Sequence, residues 1–166
     1  MPRIGLLSDT HGWLDPRILE HFAEVDEIWH AGDIGDRAVI TALERIAPVR
    51  AVRGNIDGGA LRQEFPEDQR WTMEGVDVWM THIGGRPGRY EQRVSGILSS
   101  DPPDLFVCGH SHICLVKHDA ASGVLHMNPG AAGRHGFQHV RTALRFSIEN
   151  GRPMGLEVIE LGPRAS

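Results

Sequence analysis

The chain has 166 residues, with 17 Lys and Arg against 22 Asp and Glu and a formal net charge of −5. At 40% hydrophobic and 23% charged residues, the composition is that of a folded domain and excludes a disordered or fibrous chain. The acidic balance argues against broad nucleic-acid binding, which needs a basic face to displace counterions. No apolar run nears the roughly 18 residues of a membrane span. The expectation is one domain over residues 1–166, cytoplasmic, with no membrane partner and no strong nucleic-acid partner. Met1-Pro2-Arg3-Ile4 leads straight into a strand-like run, with no signal peptide read there. Cys108 and Cys114 do not make a disulfide framework.

Short apolar runs recur, each ending in Gly, Asp, Asn or His. Ile4-Gly5-Leu6-Leu7 leads to Ser8-Asp9-Thr10-His11-Gly12. Asp15 with Pro16 predicts a helix start, and Ile18, Leu19, Phe22 and Val25 form its apolar stripe. Ile28-Trp29 leads to His30-Ala31-Gly32-Asp33. Asp36 caps a second predicted helix with Val39, Ile40, Leu43 and Ile46 on one face, stopped by Pro48. The run 49–52 leads to Arg53-Gly54-Asn55, and the polar stretch from Gly58 to Arg70 is too short for a linker. Val76 to Met80 leads to Thr81-His82. Tyr90, Val94, Ile97 and Leu98 predict a third helix, closed before Pro102-Pro103. The run 105–108 leads to Gly109-His110-Ser111-His112. Leu144, Phe146 and Ile148 alternate with polar residues, Asn150-Gly151 signals a turn, and Leu156 to Leu161 reads as the returning strand. The reading is β-α-β-α-β followed by an antiparallel meander: two stacked sheets with helices outside.

In α/β sheets, ligands bind at the carboxyl ends of strands. Asp9, His11, Asp33, Asn55, His82, His110 and His112 all follow predicted strands. Their donors are carboxylate, amide and imidazole, a set that suits Mn, Fe, Co, Ni or Zn better than Ca. Seven donors are too many for one tetrahedral ion and suit two ions that share a carboxylate. Each residue also has a plainer reading: Asp9 as a cap, Asp33 and Asn55 as turn formers, His82 as a bonded core residue. A structural zinc site of Cys108, His110, His112 and Cys114 has the wrong spacing, and both thiols read as buried and inert. His30, His126 and His135 read as structural or peripheral. Asp57 reads as accepting a hydrogen bond that orients a ligand. Trp13 is a candidate for the substrate edge or for packing against the first helix. The glycines around Asn55 lack a Walker lysine and make only a weak phosphate loop.

The ordered set Asp9-Thr10-His11, Gly32-Asp33, Gly54-Asn55, His82 and Gly109-His110-Ser111-His112 resembles the calcineurin-like metallophosphoesterases. Length, short spacers and Asn128-Pro129-Gly130 resemble the small single-domain prokaryotic phosphodiesterase branch, and the resemblance covers Ile4 to about Leu161. It implies an α/β (α+β) fold, a four-layer sandwich of two mixed β-sheets flanked by helices. It implies one metal on Asp9, His11, Asp33 and His112 and another on Asp33, Asn55, His82 and His110, with Asp33 bridging. Asp33, Asn55 and His82 are then the catalytic set, and Asn128 lines the site edge. The implied cofactors are two divalent ions, manganese first, with Fe, Ni, Co or Zn as alternatives. The implied reaction is hydrolysis of a small phosphodiester or activated phosphoester by a hydroxide between the ions. The alternatives are a scaffold protein with the same fold, as in eukaryotic trafficking coats, and a phosphomonoesterase. A nuclease is disfavoured by the chain's size and charge, and a homo-oligomer is left open. Many relatives carry a histidine directly after the Gly-Asn pair as a proton donor; here that position is Ile56, as in the small-phosphodiesterase branch. General acid catalysis contributes about 10²–10⁴-fold, so poor leaving groups should react slowly.

Overall fold

A computed structural model of the chain describes residues 1–164. In chain order the first elements are β1 (Arg3–Leu7), α1 (Pro16–His21), β2 (Glu27–His30), α2 (Arg37–Glu44), β3 (Val49–Ala51) and α3 (Gly59–Glu64). There follow β4 (Asp68–Met73), β5 (Val76–Thr81), β6 (Gly85–Arg86), β7 (Arg89–Tyr90) and α4 (Gln92–Ser100). The chain then forms β8 (Leu105–Val107), β9 (Cys114–His118), β10 (Leu125–Pro129), β11 (Val140–Glu149) and β12 (Arg152–Pro163). One sheet has the order β12-β11-β1-β2-β3 and the other β4-β5-β8-β10-β9. Each is mixed. β1, β2 and β3 run parallel, as do β5, β8 and β10, while β11, β12, β4 and β9 pair antiparallel.

The parity of strand side chains sets the layers. Ile4 and Leu6 of β1, Trp29 of β2, Val78 and Met80 of β5, and Leu105 and Val107 of β8 share one buried cluster between the sheets. The opposite face of the first sheet puts Leu7, Ile28, Ile159 and Leu161 against Ile18, Phe22, Val39, Ile40 and Leu43 of the helical side. Gly5 makes room there, since a Cβ on it would meet the Phe22 ring at 2.8 Å. The outer face of the second sheet places Trp79 and Phe106 against Val94 and Leu98 of α4. Helices, sheet, sheet and helix therefore stack as the four expected layers.

Local chemistry explains the ends of the elements. Asp15 caps α1 by accepting from the Arg17 amide at 2.9 Å, and Asp36 caps α2 through the Ala38 amide at 2.9 Å. The β11–β12 hairpin turns on Asn150 at φ 52° and Gly151 at φ 77°, the two left-handed residues that an Asn-Gly turn supplies. Two elements differ from expectation. Tyr90 belongs to the small β6–β7 hairpin, and α4 begins only at Gln92. The polar stretch after Gly58 holds α3 and the start of β4, which bury little apolar surface and so show no periodicity. Asn128 and Pro129 end β10.

Asp15 also closes the C-terminal hairpin onto α1. Arg141, fully buried, donates to Asp15 Oδ2 at 2.5 Å and to the Leu161 carbonyl at 3.0 Å. Burial opposes ionisation of Asp15, but its bonds from Arg17 and Arg141 outweigh it and hold the carboxyl well below the usual carboxylate range. Such a depressed acid contributes stability above its unfolded pKa of about 3.9 and loses it as pH falls through the folded value. Arg141→Met is expected to cost about 1–3 kcal/mol at pH 7, because Asp15 keeps Arg17 but loses a buried charged hydrogen bond and the Leu161 carbonyl loses its donor. Urea unfolding at pH 7 and at low pH checks this: the gap between wild type and variant narrows on acidification.

Candidate functional site

The parallel strands of both sheets end on one edge of the sandwich, and the loops leaving them carry the site. Asp9 and His11 follow β1, Asp33 follows β2, Asn55 follows β3, His82 follows β5, and His110 and His112 follow β8. Two groups form there. Ligand atoms of Asp9, His11 and His112 lie within 4.8 Å of one another, as do those of Asp33, His82 and His110. Asp33 joins the groups: its Oδ2 is 3.4 Å from His11 Nε2 on one side and 3.3 Å from His82 Nε2 on the other. Asn55 Oδ1 sits 3.1 Å from both His82 Nε2 and His110 Nδ1, which adds it to the second group.

Backbone conformation places these side chains. Asp9, His11, Asp33, His110 and His112 all have positive φ, between 48° and 69°. Left-handed backbone is unfavourable for non-glycine residues and collects at functional sites. Close approach of the loops requires glycine at two positions. A Cβ on Gly54 would fall on the backbone nitrogen and carboxylate of Asp33, and a Cβ on Gly109 would fall on Ser8 and Asp9.

Hydrogen bonds orient the rings. His82 donates from Nδ1 to the Ala31 carbonyl at 2.7 Å, so Nε2 faces Asp33. His112 donates from Nδ1 to Gln138 Oε1 at 2.8 Å, so Nε2 faces Asp9 Oδ1 at 3.0 Å. A donated second ring nitrogen is the usual arrangement for a metal-binding histidine. Asp57 clamps two loops at once, accepting from the Ile34, Gly35 and Gly54 amides at 3.1, 2.9 and 2.8 Å. Its carboxylate thus fixes the backbone around Asp33 and Asn55.

The electrostatics call for cations. Asp9 is fully buried and Asp33 is 2% exposed, and buried carboxylates need positive partners. Burial raises the pKa of Asp9, but the His11 and His112 imidazoles beside it outweigh it and hold the carboxyl far below its ordinary value. Burial likewise opposes ionisation of Asp33, and His82 overcomes it. Burial lowers His82, yet bonding to Asp33 and the charge of Asp9 leave it raised. Asp9 in turn raises His112. His11 Nε2 is buried with no hydrogen-bond partner. An orphaned imidazole nitrogen between two buried carboxylates fits a metal ion as its missing partner.

Several residues take places the sequence did not indicate. His135, read as peripheral, stacks on His11 with centroids 4.8 Å apart. His30, read as structural, holds the Asp33 loop: Gly32 N–H donates to its Nδ1 at 3.1 Å, and its Nε2 donates to Thr10 Oγ1 at 3.0 Å. Burial pushes His30 down to about 4, which keeps it neutral in that role. Gln138 was missed, since no motif surrounds it. Asn128, expected at the substrate edge, is 2% exposed and braces the loop between His110 and His112 through the Gly109 carbonyl and Ser111 Oγ, both at 3.0 Å. It also lines a cavity with Ser111, Ile113 and His126. Trp13 carries Arg134 over its ring at 4.1 Å and Arg141 at 5.0 Å, a cation–π contact within the chain. Cys108 and Cys114 are free thiols packed on opposite faces of the second sheet, which rules out a shared zinc. Burial pushes the Cys108 thiol up to about 12.

Comparison with known proteins bears on the family and the fold. Residues 2–151 match the profile of the calcineurin-like phosphoesterase superfamily domain. A probable metallophosphoesterase of Methanocaldococcus jannaschii is 28% identical over 136 residues, covering 77% of this chain and 67% of the relative. An archaeal phosphodiesterase structure is similar at a TM-score of 0.75 and 23% identity, covering 96% of this chain and 99% of that one. Vps29 of Entamoeba histolytica has the same fold at a TM-score of 0.75 and 15% identity, over 96% of this chain and 99% of that one.

Proposed function

Because this chain belongs to the calcineurin-like phosphoesterase superfamily, we propose that it hydrolyses phosphodiesters with two divalent cations held by the facing donor groups. The observation that carries the reading is Asp33 Oδ2, within 3.4 Å of a histidine nitrogen of each group. Asp9, His11 and His112 would hold one ion, Asn55, His82 and His110 the other, and Asp33 would touch both. Bound there, the ions would supply positive charge against the phosphoryl oxygens and acidify an attacking water. The chain's own part is positioning. Gln138 and Ala31 fix the ring tautomers, Asp57 and His30 fix the loops, and the buried carboxylates supply the negative charge that bound cations would offset while the imidazoles bind in their neutral form.

Ile56 shapes the substrate preference. Its amide donates to Asp33 Oδ1 at 3.1 Å, while its side chain is 46% exposed and has no proton to give. Esters whose leaving group departs as a stable anion are therefore favoured: aryl diesters over alkyl monoesters. The test is a panel of aryl diesters, alkyl diesters and monoesters assayed on chelated protein and after adding each first-row divalent ion, manganese first. Chelation is expected to abolish turnover and manganese to restore it, with aryl diesters fastest. No restoration by any of these ions would refute the reading.

A scaffold reading has one observation in its favour. Met154, Leu156 and Val158 stand exposed at alternate positions of the edge strand β12, an apolar row open to a partner. Binding through that row would survive chelation, whereas hydrolysis would not.

A further inference from the structure

Beside Asn55 and His82 lies a cavity of about 150 Å³ whose wall includes Arg53, Arg62, Arg93 and Glu67. In a chain of net charge −5, three guanidinium groups around one cavity demand a reason. Arg93 is neutralised in place. It donates to both oxygens of Asp68 at 3.0 and 2.9 Å and to Thr81 Oγ1 at 3.0 Å, and it lies 3.5 Å from Glu67. Arg53 and Arg62 are different. Among the described residues the Arg53 guanidinium bonds only the Phe65 carbonyl, at 3.3 Å, and neither arginine meets a carboxylate. Arg53 is nonetheless fixed, since its amide also donates to the Pro66 carbonyl at 2.9 Å. It is adjacent in sequence to Gly54-Asn55, so the loop that delivers Asn55 to the second donor group also delivers this charge.

We propose that this cavity receives a second, non-reacting phosphate of the substrate, which makes the substrate class a phosphoester that carries another phosphate group. The proposal rests on the phosphoesterase reading of the adjacent site. Charge favours an anion with several acceptor oxygens: neither Arg53 nor Arg62 meets a carboxylate, and a terminal phosphate, at about −1.5 to −2 at neutral pH, can engage both guanidinium groups at once. Geometry agrees, because the planar guanidinium fork bonds phosphate oxygens in pairs. The cavity is several times the roughly 30 Å³ share of a water molecule, so it has room for a phosphate head.

The test compares thymidine 5′-(4-nitrophenyl phosphate) with the same ester bearing a 3′-phosphate, on the manganese-loaded full chain. The 3′-phosphate is expected to lower KM about tenfold in wild type. The KM ratio falls to about threefold in Arg53→Gln or Arg62→Ala and to near one in the double variant, while Arg62→Lys keeps part of it. A wild-type ratio within twofold, or an unchanged ratio in the double variant, overturns the proposal. Calorimetric titration of the chelated chain with thymidine 3′,5′-bisphosphate separates this result from the fate of the phosphoesterase reading. At least tenfold weaker binding in the double variant supports the cavity even if neither ester is hydrolysed. Equal binding overturns it.

Discussion

Asp33→Ala is expected to lower turnover of an aryl phosphodiester by at least about 10³-fold and to reduce bound metal at both groups, with the chain still folded. Asp33 Oδ2 stands 3.4 Å from His11 and 3.3 Å from His82, one from each group, closer than Asp9 Oδ1, which is 3.8 Å from both. The other Asp33 oxygen accepts from the Ile56 amide at 3.1 Å, so its orientation is fixed by backbone. Alanine at φ 54° also adds strain, and Asp33→Gly separates the two effects because glycine adopts that backbone freely. Both variants should lose activity alike, with Asp33→Gly the more stable. Metal content per chain and initial rates are the measurements. Half the metal lost with more than a tenth of the activity kept would refute the shared role.

Gly54→Ala is the second large effect, and it carries no change in donor chemistry. A single methyl would fall on the Asp33 backbone nitrogen and carboxylate, where the neighbour is backbone and has little room to give. Overpacking of this kind costs about 1–3 kcal/mol. The displaced Asp33 should cost activity about 10²-fold, in line with a misplacement near 1 Å. Thermal melting and steady-state rates check both. The contrast is Gly58→Ala, where a Cβ would meet nothing within 4 Å and the backbone is extended, so rates should stay near wild type.

The donor positions were legible because each follows a short apolar run, and a run buried on both faces leaves little doubt about the strand before the loop. The helices at Pro16 and Arg37 were legible from their Asp caps and three-to-four spacing. The rest was written in tertiary contacts. Gln138 reaches His112 across 26 residues, and no local pattern announces it. His30 and His135 carry no spacing signal, and only the packed loops show one bracing Asp33 and the other stacked on His11. Asn128 owes its place to the sheet: β10 carries it in and buries its amide against the loop between His110 and His112. Strands β4 and β9 went unread because they flank the second sheet half-wet, β4 alternating only over its last four residues and β9 not at all.

The left-handed residues of the site have a thermodynamic consequence. Glycine would adopt φ between 48° and 69° without penalty, whereas Asp9, His11, Asp33, His110 and His112 each carry about 1 kcal/mol of conformational disadvantage. Against a folding free energy of about 5–15 kcal/mol, that sum is a sizeable fraction of the whole. The chain is thus less stable than its own backbone permits, and the deficit is concentrated in the loops that do chemistry. A ligand that binds only the folded form returns stability by mass action, about 4 kcal/mol at a thousandfold excess over its Kd. Cation supply then governs how long the protein persists as well as how fast it works, and selection for heat resistance alone would erase the site one glycine at a time.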